Sequence, residues 1–145
     1  MSGGAGWIGV DLDGTLAHYG EWDGGRIGKP IGPMVERVKA WLAEGIQVRI
    51  VTARVCALFD FRLIKEPEKW ERQAAEALEQ NAKIRAWCLE HLGQELPVTA
   101  VKDFDMVELW DDRCIQVVKN TGEPLLRTED LARLLGRVID KRRVR

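Results

Sequence analysis

At 145 residues, with 46% hydrophobic and 31% charged residues, the chain has the size and mix of one folded domain, and not those of a low-complexity or disordered segment. A formal net charge of −1 supplies no overall pull toward nucleic acid or an anionic membrane. No apolar run approaches the roughly 20 residues of a membrane-spanning helix, and three scattered cysteines without a C-x-x-C pair argue against a disulfide framework or a structural zinc site.

Met1 to Gly6 is small and flexible in character, with neither a cationic start nor a long apolar stretch, so no signal peptide is expected and the reduced thiols suit a cytoplasm. Trp7 to Asp11 reads as a short buried strand that runs straight into Asp11-Leu12-Asp13-Gly14-Thr15. Alternate strand residues share a face, so Asp11 and Asp13 are expected to converge at the strand's carboxyl end, with Gly14 allowing a sharp turn. Leu16 to Gly32, rich in glycine, is predicted to be a loop or small flap. Pro33 opens a helix whose apolar residues Met34, Val38, Trp41 and Leu42 recur at helical spacing before Gly45 stops it. Ile46 to Val51 is a β-branched second strand.

Val55 to Pro67 has no clear period, and burial of its apolar residues in the core is favoured over a pocket lining or a dimer contact. Glu68 to Leu92 is a long helix with Trp70, Ala74, Leu78, Ile84, Trp87, Cys88 and Leu92 toward one side, ended by Gly93. Pro97 to Val101, Val107 to Trp110 and Ile115 to Val118 are three further short strands. Asn120, Thr121 and Gly122 make a turn, and Thr128 caps a last helix with Leu131, Leu134, Leu135 and Val138 as its buried stripe. Residues 139–145 form a basic tail, read as a solvated terminus. With no linker in view, the chain is expected to be one α/β domain over 1–145. Strands separated by helices predict a mainly parallel sheet covered on both faces, with ligands bound at the carboxyl ends of the strands.

Those ends carry chemistry. The first holds Asp11 and Asp13, the second Thr52-Ala53-Arg54, the short third is followed by Lys102, and the strand through Trp110 ends in Asp111-Asp112. Paired carboxylates repel unless a cation joins them or one takes a proton. A divalent ion serving phosphoryl chemistry is therefore the leading expectation.

In their order and strand-end placement these residues resemble the four motifs of the haloacid dehalogenase superfamily, over about residues 7 to 120, and in particular its small capless phosphatases, such as the phosphatase half of bacteriophage polynucleotide kinase. The resemblance implies a three-layer α/β/α, Rossmann-like fold without a large cap and a Mg²⁺-dependent phosphomonoester hydrolase. Asp11 would be the nucleophile and Asp13 the general acid and base. Thr52 and Lys102 would hold and neutralise the phosphoryl group. Asp11, Asp13 through its backbone carbonyl, Asp111 and Asp112 would surround the metal. Thr52, Ala53, Arg54 and Lys102 would line the substrate phosphate, with Lys119 a rival to Lys102, and Arg54 equally open to a structural ion pair. The absence of a cap implies an exposed substrate, a small phosphorylated molecule or a nucleic-acid end. Two other readings stand beside it. A receiver-like phosphoacceptor uses similar residues but places its acidic pair first, and a binding protein would keep the fold without the catalysis.

Overall fold

The computed structural model describes residues 6–126 and 129–130. They fall into two compact units that divide between Asp112 and Arg113. The first is α/β: β1 (Trp7–Asp11), α1 (Gly32–Ala43), β2 (Val48–Val51), α2 (Pro67–Leu92), β3 (Val98–Thr99) and β4 (Met106–Trp110). All four strands are parallel, in the order β3-β2-β1-β4. Among the described residues no helix is long and apolar enough to cross a membrane.

β1 is central and nearly continuous in apolar character because it is covered on both faces. Ile8 and Val10 lie opposite Val48 and Ile50, and these four share one buried cluster with Met34, Val35 and Val38 of α1 and Ile84, Trp87, Cys88 and Leu92 of α2. Both helices therefore pack on the same sheet face, as successive right-handed crossovers in one direction require. Two of the three expected layers are thus in view, and no described helix covers the other face. There, the Trp7 ring is buried beneath Arg49, whose guanidinium carbon lies 4.5 Å from the ring centre, and its indole N–H donates to Asp103 at 2.8 Å. Gly9 leaves room on that face for Val51, Leu109 and Met106, each of which would lie 3.0–3.2 Å from an added Cβ.

α1 begins one residue ahead of Pro33 and closes as expected at Gly45: Gly45 N–H donates to Leu42 and Ile46 N–H to Trp41, the paired bonds of a Schellman stop. α2 buries a narrower stripe than its apolar residues suggest. Ala74, Ala77, Ile84, Trp87, Cys88 and Leu92 are inside, whereas Trp70 and Leu78 are exposed. The segment between β2 and α2 forms two 3₁₀ helices, Ala53–Leu58 and Phe61–Lys65. Core burial, favoured for it, holds for Val55 but not for Phe61 and Ile64, which are 78% and 64% exposed. The predicted flap is also corrected at its start: Leu16 and Ala17 are fully buried, and Ala17 bridges Pro30 so that only the residues between project outward.

In the second unit the expected strand Ile115 to Val118 does not join the sheet. Val117 bridges only Pro124, with Val118 N–H donating to Glu123 and Leu125 N–H to Gln116, around a turn in which Asn120 has φ +66°. A short β-branched run satisfies a tight hairpin as well as a sheet. Thr128, the helix predicted behind it with Leu131, Leu134, Leu135 and Val138, the 139–145 tail and Met1 to Ala5 lie outside the described residues.

Candidate active site

The parallel order sets the carboxyl end of β1 between those of β2 and β4. Asp11 ends β1, and Asp111-Asp112 follows Trp110, the last residue of β4. One carboxylate oxygen each from Asp11, Asp111 and Asp112 lies within 4.8 Å of the other two. Two oxygens on opposite sides of one Mg²⁺ stand about 4 Å apart, so small side-chain movements bring the three onto a single hard cation. The donor set, all oxygen and all anionic, suits Mg²⁺ and is poor for soft metals.

The residues between Asp11 and Ala17 make this convergence possible. The Leu12 carbonyl accepts from the N–H groups of Thr15, Leu16 and Ala17, winding the chain into a tight turn anchored by the buried Leu12, Leu16 and Ala17. Thr15, to which the sequence reading assigned no role, stitches the two strand ends together. Its hydroxyl lies 3.3 Å from Asp11 Oδ2 and 3.2 Å from Asp112 Oδ1, and accepts from the Asp112 backbone N–H at 3.0 Å. Its place four residues after Asp11 was visible, but the partner 97 residues away was not. Gly14 has φ +90°, and a Cβ there would stand 2.7 Å from Asp112 Oδ2. Gly14→Ala is therefore expected to push Asp112 out of the cluster and weaken Mg²⁺ affinity by at least tenfold in a calorimetric titration, with the fold retained by circular dichroism.

Crowding shows in the electrostatics. Burial first, then the nearby Asp111 and Asp112, push the Asp11 carboxyl up to about 7, while the Thr15 hydroxyl works in the other direction. Without a cation, Asp11 shares the site with two like charges in a half-buried setting.

Thr52 is the one buried polar residue among the described residues, 3% exposed, at the end of β2 beside β1. Its N–H donates to Thr99 of β3, and its hydroxyl oxygen accepts from Arg54 N–H at 3.2 Å, capping the first 3₁₀ helix. The cap uses the oxygen as an acceptor and leaves the hydroxyl hydrogen to donate.

The remaining site residues are placed as follows. The Asp13 side chain stands outside the acidic cluster: both its oxygens accept from Arg54, at 2.7 and 2.8 Å. Arg54 makes the structural ion pair, one of the two alternatives open for it, and all five of its guanidinium N–H groups are engaged within the protein. Ala53 only begins the 3₁₀ turn. Lys102 is exposed and is not drawn to the cluster. The next residue, Asp103, is fixed by Trp7 and Arg49, and Trp7 N–H donates to the Asp105 carbonyl. The connection thus runs from Thr99, in register with Val51 and Asp11 at the carboxyl edge, to Asp105 beside Trp7 at the amino end of β1, with Lys102 between them. Lys119 belongs to the second unit. His18 and His91 line a cavity of about 580 Å³ between the 18–30 loop and α2 that contains none of the clustered aspartates.

Comparison of the chain with protein-family models, with curated proteins and with solved structures finds no significant match.

Proposed function

We propose that the chain is a Mg²⁺-dependent phosphomonoester hydrolase of the haloacid dehalogenase type, capless and three-layered, that works through an aspartyl phosphate on Asp11. The observation that carries this reading is the meeting of Asp11, Asp111 and Asp112 at adjacent parallel strand ends. Those three side chains would hold the ion, with the Asp13 carbonyl as a further ligand by resemblance. Bound there, Mg²⁺ would offset their mutual repulsion and the charge of the phosphoryl group.

Asp11 Oδ attacks phosphorus; the new P–O bond forms as the bond to the leaving alcohol breaks, and Asp13, which enters this step protonated with one of its oxygens released from Arg54, delivers that proton to the alcohol oxygen. Water then gives its proton back to Asp13 and attacks the same phosphorus, breaking the P–O bond of the Asp11 acyl phosphate so that the Asp11 carboxylate is regenerated and inorganic phosphate is released. Thr52 donates its hydroxyl to a phosphoryl oxygen throughout. By the resemblance to capless phosphatases, an exposed phosphate, on a small molecule or a nucleic-acid end, is the proposed substrate class.

Hydrolysis of p-nitrophenyl phosphate by the purified chain, with and without Mg²⁺, tests the reading. Metal-dependent turnover with a hydroxylamine-sensitive phosphoenzyme is the expected result. A long-lived phosphoprotein without turnover after acetyl phosphate treatment would favour the receiver-like alternative, and no reaction with either donor a binding protein.

A further inference from the structure

We propose that Arg54 is a positioning residue, held by Gln80 and by the carbonyls of Gly25 and Arg26, through which the 20–29 loop controls the placement of the Asp13 carboxylate. This rests on the reading of Asp13 as the group that moves the proton. The Arg54 side chain is 4% exposed. Nε and Nη2 donate to the two Asp13 oxygens; Nη1 donates to the Gly25 carbonyl at 2.7 Å and Gln80 Oε1 at 2.8 Å, and Nη2 to the Arg26 carbonyl at 3.1 Å. The Trp22 ring, 59% exposed, lies against the guanidinium with its centre 5.0 Å from Cζ. One buried cation thus ties β2's end, the glycine-rich loop, α2 and Asp13 into a single unit.

The division of its donors has a consequence. Two N–H groups serve Asp13 and three serve groups that take no part in the reaction. When Asp13 releases one bond to reach a leaving oxygen, the other three contacts keep the guanidinium where it was. Asp13 then moves against a fixed partner. The arrangement also explains why the loop approaches α2 at a glycine: Gly25 has φ +86°, and a Cβ there would collide with the Gln80 amide. A side chain at that position would lift the loop and take its carbonyl away from Arg54. An arginine that bound substrate phosphate would not spend all five donors within the protein.

Two variants separate positioning from phosphate binding. Trp22→Ala changes an exposed side chain that the fold does not need, and Gln80→Leu removes one acceptor while keeping bulk. The readout is kcat/KM with Mg²⁺ for glycerol 2-phosphate, whose alkoxide leaves only with a proton, and for p-nitrophenyl phosphate, whose phenolate leaves without one. In both variants the alkyl-to-aryl ratio of kcat/KM is expected to fall about tenfold. Equal losses on the two esters would overturn the proposal, since weaker phosphate binding or general loosening affects both alike. A second measurement does not depend on activity. In Asp13→Asn, amide hydrogen exchange over residues 20–29 is expected to rise at least fivefold, because the loop loses its ionic anchor. Unchanged exchange would overturn the coupling even if the chain hydrolyses neither ester, in which case only the hydrolase reading falls with the kinetics.

Discussion

Asp11→Asn is expected to abolish phosphoenzyme formation and to lower kcat for p-nitrophenyl phosphate by about 10³-fold or more if the proposed hydrolase reading holds, the scale on which removal of a covalent nucleophile is felt. The amide keeps the shape of the side chain and its bond with Thr15, so the loss falls on the chemistry and not on the fold. The same substitution raises the stability of the metal-free protein. At pH 8 the wild type carries a half-buried carboxylate beside Asp111 and Asp112, and the variant carries a neutral amide. After allowance for solvent screening the gain is about 1–2 kcal/mol, read as a rise of about 3–8 °C in Tm. A variant that loses activity while gaining stability identifies a functional strain. Metal-dependent hydrolysis that survives the substitution would remove Asp11 as nucleophile.

The metal-free wild type is expected to lose stability as pH rises from about 4 to about 7. The folded Asp11 carboxyl titrates at about 7 against an ordinary value of 3.8, so within that window the folded state binds more protons than the unfolded one. Stability then falls with rising pH, and the full penalty is present above about 7. Asp60 and Asp103 are held below the ordinary value by Arg62 and by the Trp7 indole respectively, so their contributions have the opposite sign and act below about pH 4. The difference in Tm between wild type and Asp11→Asn, followed from pH 5 to pH 8, isolates the effect. It is expected to be small at pH 5 and largest at pH 8. Mg²⁺ is expected to reverse it, raising the wild-type Tm more at pH 8 than at pH 5, where protons compete for the same oxygens, and leaving Asp11→Asn nearly unmoved. A Tm difference that does not change across this range would mean that Asp11 is not crowded by its neighbours.

The elements that position the site were legible because each announces itself locally. β1 is an unbroken apolar run ended by charge, α1 is bounded by Pro33 and a glycine stop, and β2 is β-branched. Their alternation led to a parallel sheet, and a parallel sheet gathers its carboxyl ends on one edge whatever the details. Ile115 to Val118 carried the same local signal and did not enter the sheet, because pairing partners and not β-propensity decide where such a run goes. Phe61 and Ile64 were read as core for a related reason. Hydrophobicity favours burial, but a 3₁₀ turn eclipses its side chains at every third residue and cannot turn all of them inward.

What the order of residues determined by itself was the inventory at the sheet edge: Asp11 on one strand, Thr52 on the next, Asp111 and Asp112 on the last, placed there by periodicities that act over a few residues. Which of those groups face one another was decided only by the tertiary structure. Strand register brought Asp112 to Thr15, 97 residues away, while the path of the 20–29 loop delivered the carbonyls that hold Arg54 against Asp13. These outcomes turn on shifts of one strand residue or one loop contact, about 3 Å, and local periodicity contains no information at that distance across the sheet.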